Sequence, residues 1–354
     1  MNEVAPDLAQ WLESGEPIAI ATVVRISGSA PRPLGATLIA REGERIAGSV
    51  SNGCVEAAVY EEAMRVLRDG RARVVSYGIS DEFAFSVGLS CGGAIDVLIE
   101  PIGALHRAAL EAARAERPAV LARIIAPADR AGTVALLRED RAEGWSPELA
   151  ALKPDALAAL ADGRARTAAV TLADGREAIV YLEALATPPL LAIVGATHVG
   201  QALAPLARTV GYRVVVADPR ESLANRERFP QADEILPLWP DEALARLRLG
   251  ARSAVVLLTH DPKFDHPGLV AALRSEAGYI GAIGSRTTNE QRFVWLRAQG
   301  FADSDLARVH APIGLDIGAA TAEETALAIL AEVVAVRHSR DGRSLSAQTL
   351  ARSR

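Results

Sequence analysis

The chain has 354 residues, a net charge of −6 and an apolar half in which alanine is prominent. That length fits two domains, each able to bury its own core without disulfides or metals. The acidic balance and scattered arginines argue against nucleic acid as a partner, and no charge-free apolar run reaches the roughly 18 residues of a membrane-spanning helix.

The opening stretch "MNEVAPDLAQWLESGEP" is acidic where a secretory signal is basic and then apolar. It predicts a cytoplasmic protein whose cysteines stay reduced. "PIAIATVVRIS" then predicts a strand, "GATLIAREGERIAGSV" a hairpin turning at Glu42-Gly43-Glu44, and "CVEAAVYEEAMRVLRDG" an amphipathic helix. The branched runs "ARVVSYGI", "AIDVLIEP", "PAVLARII" and "GTVALLRE" predict more strands, with helices around 103–115 and 147–161. "TAAVTLADGREAIVYLEAL" reads as a second hairpin turning at Asp174-Gly175. The paired prolines of "ALATPPL" mark a linker, so a mixed α/β domain spans 1–187, and no internal repeat is evident.

From residue 188 strands and helices alternate, the pattern of a doubly wound parallel sheet. "LLAIVGA", "YRVVVAD", "SAVVLLT" and "YIGAIGS" are the strands; "HVGQALAPLARTVG", 286–299 and 321–337 are helices, the last capped by Thr321 and Glu324. This Rossmann-like domain runs over 188–338, and the polar stretch 339–354 predicts a disordered tail.

"GATHVG" sits where a dinucleotide fold carries GxGxxG: Gly195 and Gly200 hold the outer positions, Thr197 replaces the middle glycine, and Asp218 closes the next strand where a ribose-binding acid would stand. Either a phosphate-bearing ligand sits at this helix start, where free N–H groups suit an anion, or the turn is simply tight and empty. His198 lies within the helix start and either caps it or faces solvent. His260 and Asp261, with Lys263 and Asp265, follow a strand end, where ligands bind in open parallel sheets. Lys263 is one of only two lysines, the other being Lys153. Ser285 and Arg286 open a further helix that could bind an anion in the same crevice. His310, Asp316 and Gly318 fall in a third such loop and either serve a site or shape the turn.

The two cysteines both lie in glycine-containing loops at the ends of elements. Cys54 stands at or just before a helix start, where free amides favour a thiolate; Cys91 precedes Gly92 and Gly93. They are either functional thiols or small buried hydrophobes. Two thiols without a ligand cluster do not make a zinc site, whereas soft thiolates suit a sulfur-handling or molybdenum-related ligand. Arg32, between Pro31 and Pro33, is either an anion fork or part of a rigid turn.

Taken together, "SGSAPRPLGA" (27–36), "GSVSNGCVE" (48–56), "GLSCGGAIDVLIEP" (88–101), "VGATHVG" (194–200), "LTHDPKFD" (258–265), "IGSR" (283–286) and "HAPIGLDIGAATAEE" (310–324) resemble the xanthine dehydrogenase accessory proteins, the XdhC/CoxI family, over nearly the whole chain. The resemblance implies a cysteine-bearing first domain and a Rossmann second domain. It implies a factor that binds molybdenum cofactor, as molybdopterin or its dinucleotide, supports its sulfuration with a cysteine desulfurase, and delivers it to a molybdenum hydroxylase apoenzyme. The family turn is usually GAGHVG, from which Thr197 departs. The candidate cofactor-binding set is Cys54, Cys91, Gly92, Gly93, Arg32, Gly195, Thr197, His198, Gly200, Asp218, His260, Asp261, Ser285 and Arg286, with Cys54 and Cys91 as contacts to molybdenum. A homodimer is expected from an exposed sheet edge in the first domain. The alternative is an NAD(P)-dependent oxidoreductase with His260 or His310 as acid or base.

Overall fold

The structure, a computed structural model, describes residues 1–78, 93–115, 117–138, 141–185 and 187–346. The chain divides into two units, Met1–Thr187 and Pro188–Arg354.

The first unit begins with α1 (Ala5–Leu12), followed by β1 (Ala19–Ser27), β2 (Thr37–Arg41), β3 (Arg45–Gly48), α2 (Glu56–Asp69), β4 (Arg73–Tyr77) and β5 (Ala94–Pro101). These strands form an antiparallel sheet in the order β3-β2-β1-β5-β4. After α3 (Ala104–Arg114) come β6 (Ala119–Ala126), β7 (Val134–Arg138), β8 (Ala142–Glu143), α4 (Pro147–Ala150), α5 (Lys153–Asp162), β9 (Arg166–Thr171) and β10 (Glu177–Leu185). Their order is β8-β7-β6-β10-β9, again antiparallel. The expected helix at 147–161 is therefore two pieces. Pro154 sits in the first turn of α5, where its missing N–H has no partner to lose, and the chain restarts there.

The two halves of this unit share one topology, with helix between the third and fourth strands, so the expectation of no internal repeat is overturned. Even the irregularities agree. Val24 is passed over between the pairs Val23↔Val97 and Arg25↔Asp96, and Ile125 between Ile124↔Val180 and Ala126↔Ile179. Register makes Glu100, opposite Ile20, the counterpart of Glu183, opposite Leu121; Thr22 then corresponds to Arg123. Such a repeat lives in backbone hydrogen bonds, which most side chains permit, so the residue pattern conceals it.

The two sheets meet through both bulge residues and their neighbours: Val24, Leu98, Ile125 and Tyr181 form one buried cluster. Among them lies Arg123, fully buried. Its guanidinium donates to Thr22 Oγ1 at 3.3 Å, to Glu100 Oε1 at 3.2 Å and to Glu183 Oε2. On the outer faces, α2 packs Val59, Ala63 and Val66 on the first sheet, and Leu149, Leu152 and Ala156 cover the second.

The second unit contains β11 (Leu190–Val194), α6 (His198–Thr209), β12 (Arg213–Ala217), β13 (Glu234–Leu236), α7 (Pro240–Arg246), β14 (Ala254–Leu257), α8 (Pro262–Leu273), β15 (Tyr279–Ala282), α9 (Arg286–Ala298), α10 (Asp303–Leu306), β16 (Val309–His310) and α11 (Ala322–Arg337). The strands are parallel in the order β13-β12-β11-β14-β15-β16. The chain winds outward in both directions from β11, so a crevice opens between β11 and β14 at their carboxyl ends. Helices on both faces bury β11, β14 and β15 completely, which is why these strands read as unbroken apolar runs. β13 and β16, of three and two residues, are too short to carry a pattern. The Thr321–Glu324 cap is present, with Thr321 Oγ1 accepting the Glu324 N–H at 3.1 Å and the Glu324 carboxylate accepting the Thr321 N–H at 3.1 Å. Of the expected tail, 339–346 is described, and Gly342 backs onto Leu315 there; 347–354 lies outside the described residues. Among the described residues no helix is long and apolar enough to cross a membrane.

Because Arg123 is the cation that two buried glutamates share, Arg123→Met leaves Glu183 with only the Met1 ammonium and Glu100 with only His106 beside it. Equilibrium urea unfolding is expected to show a loss of about 3–5 kcal/mol in the first unit, the cost of removing one partner from a buried ion cluster.

Candidate functional site

In the first unit the site is organised by a carboxylate that composition does not single out. Glu56, the first residue of α2, turns back on the loop before it. Its Oε1 accepts from Ser49 Oγ at 2.6 Å, the Val50 N–H at 3.2 Å and the Ser51 N–H at 2.9 Å. Its Oε2 accepts from Ser51 Oγ, the Gly53 N–H at 2.8 Å and the Val55 N–H at 3.2 Å. Burial alone would raise its pKa, but the hydrogen bonds from Ser49 and Ser51 win and bring it down to about 2. Cys54 lies inside this looped segment, half-buried and packed against the cluster that contains Val55 and Val59. The amides expected to serve its thiol thus serve Glu56 instead.

Two further motif loops close on the same place. Asn52, at φ 58, donates from Nδ2 to the carbonyl of Pro31 at 3.3 Å. Gly93 approaches the other end of that loop so closely that a Cβ there would stand 2.1 Å from the Ser29 carbonyl oxygen and 2.7 Å from that of Ser27. Glycine is required by contact. Segments 27–36, 48–56 and the Gly93 end of "SCGG" are therefore neighbours. Cys91 and Gly92 lie outside the described residues. Arg32 pairs with Glu3, which answers its charge within the chain. Among the described residues no group of three or more His, Cys, Asp or Glu side chains could hold a metal ion.

In the second unit a cavity of about 330 Å³ opens at the carboxyl ends of the strands, lined by Thr197, Arg220, Thr259, His260, Asp261 and Phe264. The turn beneath it is set by Gly195, at φ 106, where a Cβ would meet Thr259 Cγ2 at 2.6 Å, and by Gly200, packed on the Gly195 carbonyl. Thr197 is the N-cap of α6, its Oγ1 accepting the Gly200 N–H at 3.2 Å. The hydroxyl also has a proton to donate, and Thr197 lines the cavity.

Asp218 departs from expectation. Its Oδ1 accepts from the Arg220 N–H at 3.0 Å and Nε at 2.8 Å, and its Oδ2 from the Ala196 N–H at 2.9 Å and Arg220 Nη2 at 2.7 Å. A carboxylate has about four acceptor sites, and all are filled. Asp218 braces the glycine turn and holds Arg220, rather than standing open to a ribose. Arg220 spreads over the Phe264 ring, 5.2 Å from its centre, and Lys263 Nζ stands 4.8 Å from the same centre. Each cation has its own carboxylate, Arg220 with Asp218 and Lys263 with Asp261.

Asp261 caps α8, accepting the Lys263 N–H at 3.0 Å and pairing with Lys263 Nζ at 3.1 Å. Thr259 donates to the buried Asp265, which also binds Arg292; Arg292 in turn donates to Asn289 Oδ1 at 2.7 Å and to the Ile283 carbonyl. This buried bridge ties the loops after β14 and β15 together. Ser285 caps α9 and Arg286 is exposed; neither lines the cavity. His198 is exposed and faces Glu323 on α11 at 3.9 Å. His310 stacks on Tyr279 and lies 3.5 Å from Glu332, which also accepts from Tyr279 Oη at 2.5 Å and the Gly314 N–H at 2.8 Å. His310 therefore shapes its loop and takes no part in the cavity.

Comparison with known proteins agrees with this two-part arrangement. Residues 11–78 match the XdhC and CoxI family and residues 191–333 match the XdhC Rossmann domain, together more than half of the chain. The chain belongs to the XdhC and CoxI family. It is 29% identical over 327 residues to the molybdenum cofactor insertion chaperone PaoD of Escherichia coli, covering 92% of this chain and 85% of that protein. It is 24% identical to a probable xanthine dehydrogenase subunit of Bacillus subtilis, covering 92% of this chain and 95% of the relative. A crystal structure of a xanthine dehydrogenase from Bacillus halodurans has the same fold, with a TM-score of 0.74 at 24% identity over 96% of this chain and 98% of that one.

The family motifs thus mark backbone geometry as well as chemistry. Glu56 and Phe264 lie inside two of the motif blocks without being picked out there, and Arg220 and Arg292 lie outside all of them. For Glu56 a signal is nonetheless present, an acid opening a helix directly after a Ser/Asn/Gly loop, whose unpaired amides need an acceptor. Since its folded pKa lies below the usual 4.5, Glu56 stabilises the loop fully above that value and loses the effect as pH falls toward about 2. Glu56→Gln is expected to cost about 2 kcal/mol at pH 7, the scale of hydrogen bonds to a charged group. Thermal melts of the two proteins should converge as pH drops below about 4.5.

Proposed function

We propose that this protein is a maturation factor that binds molybdenum cofactor, supports its sulfuration and delivers it to a molybdenum hydroxylase. The observation that carries this reading is the likeness, over 92% of the chain, to a protein named as a molybdenum cofactor insertion chaperone.

The residues fit such a ligand in kind. When bound, the cofactor supplies molybdenum and its sulfur ligands, together with a phosphate or pyrophosphate. Cys54 is a half-buried thiol where three motif loops meet, suited to a soft metal–sulfur centre. Thiols, Cys54 and with it Cys91 in this proposal, hold such a centre without caging it, as a carrier must. In the Rossmann unit the Thr197 hydroxyl, the first-turn amides of α6, Arg220 and Lys263 offer donors and positive charge to a phosphate. A cysteine desulfurase as sulfur source, a hydroxylase apoenzyme as acceptor and self-association into a dimer complete the proposal.

The oxidoreductase reading draws on the Rossmann strand order, but the filled carboxylate of Asp218 stands against a free ribose diol at that position. The deciding experiment is anaerobic loading of purified protein with molybdenum cofactor, counting molybdenum and pterin per chain in wild type, Cys54→Ser and Cys91→Ser. Near-stoichiometric loading that falls at least several-fold in Cys54→Ser is expected. No loading, together with measurable affinity for NAD(P), would replace the carrier with a dehydrogenase.

A further inference from the structure

The internal repeat of the first unit is not filled symmetrically. Glu183 has Arg123 on one oxygen and the Met1 ammonium on the other, and that ammonium also donates to Thr37 Oγ1 at 3.1 Å. The counterparts of Glu183 and Thr37 in the other half are Glu100 and Val134, by the pairs Thr22↔Thr37 and Arg123↔Val134. There the arrangement stops short. Glu100 Oε1 faces Arg123 at 3.2 Å and His106 Nε2 at 3.3 Å, but Oε2, on a residue 1% exposed, has no partner.

Beside that oxygen is a cavity of about 720 Å³, lined by Glu100, His106, Ala72, Ala104, Leu105 and Gly132 among others. Oε2 points to its Gly132 wall: a Cβ on Gly132 would lie 3.7 Å from it. Burial favours the neutral acid, yet His106 and Arg123 hold Glu100 below the ordinary carboxylate range, so Oε2 is an ionised acceptor. The amino end of α3 opens on the same cavity. Ala104 and Leu105 are its first two residues, and their N–H groups have no acceptor within the helix. An unpaired buried carboxylate oxygen is costly to leave. Its counterpart across the repeat takes a primary ammonium.

We propose that this cavity binds a small α-amino acid with an apolar side chain, its ammonium on Glu100 Oε2 and its carboxylate on the first-turn amides of α3. A zwitterion adds no net charge to a cluster in which Arg123 already answers the glutamates, whereas a bare amine or a bare anion would. The alanine, leucine and valine walls take the side chain. The site is separate from Cys54, and the proposal is independent of the cofactor reading.

Free L-methionine, which carries the group found at the counterpart position, is the probe, titrated calorimetrically into the full-length protein. Binding is expected for L-methionine and not for N-acetyl-L-methionine, which lacks the ammonium. Methionine amide, lacking the carboxylate, should bind more weakly. Glu100→Gln should weaken binding at least about tenfold, the scale of one hydrogen bond to a charged group. Ala104→Phe, which sets a ring at the α3 end of the cavity away from the ion cluster, should weaken binding at least several-fold while leaving the melting temperature unchanged. No binding of L-methionine at millimolar concentration would overturn the proposal. Equal binding of the N-acetyl derivative, or undiminished binding to Ala104→Phe, would overturn it as well.

Discussion

Loops rich in glycine and serine expose more backbone N–H groups than they can satisfy themselves, and in this protein single carboxylates collect them. Glu56 gathers the segment 49–55 and Asp218 gathers the turn at Ala196 together with Arg220. Glu332 does the same for the loop around Gly314. A buried or half-buried amide without an acceptor costs about as much as a lost hydrogen bond. A carboxylate at each loop removes that cost and fixes the loop in one conformation. The placement of Cys54 and the shape of the Rossmann turn both follow from this device.

Inside the first unit the equivalent role belongs to a cation. Arg123 lies between two sheets of the same topology and ties the glutamate of each to the other. Bulges at Val24 and Ile125 bring matching strands together, so that bulge residues and their neighbours form the contact between sheets. The departures from symmetry are where polar groups and open space coincide: Met1 fills one half, and a cavity with a free carboxylate oxygen lies in the other. Departures from an otherwise repeated pattern are also where function is expected to reside.

Much of the fold was legible in the chain. Turn residues at Glu42-Gly43-Glu44 and Asp174-Gly175 marked both hairpins, apolar runs marked the strands buried on both faces, and the capping pair Thr321–Glu324 marked the last helix. Of the candidate site, Thr197, His260 and Asp261 do line one cavity, and Gly195 and Gly200 do shape its floor. Asp218, His198, Ser285 and Arg286 were read from their places at a strand end or a helix start, and His310 was left between a site and a turn. Loop position says which end of a sheet a residue occupies, and it says nothing about which donors have already claimed its side chain. The edge strands β13 and β16 and the topological repeat were invisible because two or three residues, or a register of backbone bonds, leave no trace in composition.

By itself the sequence determined most of the longer strands, the change near residue 187 from a mixed pattern to regular strand–helix alternation, and the family. Local periodicity, turn chemistry and motif spacing are properties of neighbours along the chain. Only the tertiary structure decided that Glu56 and not a free helix start surrounds Cys54, that Arg220 fills Asp218, and that Glu100 keeps one oxygen unpaired beside a cavity. Those facts depend on which residues distant in sequence come within hydrogen-bonding reach, and distance in space is what folding alone sets.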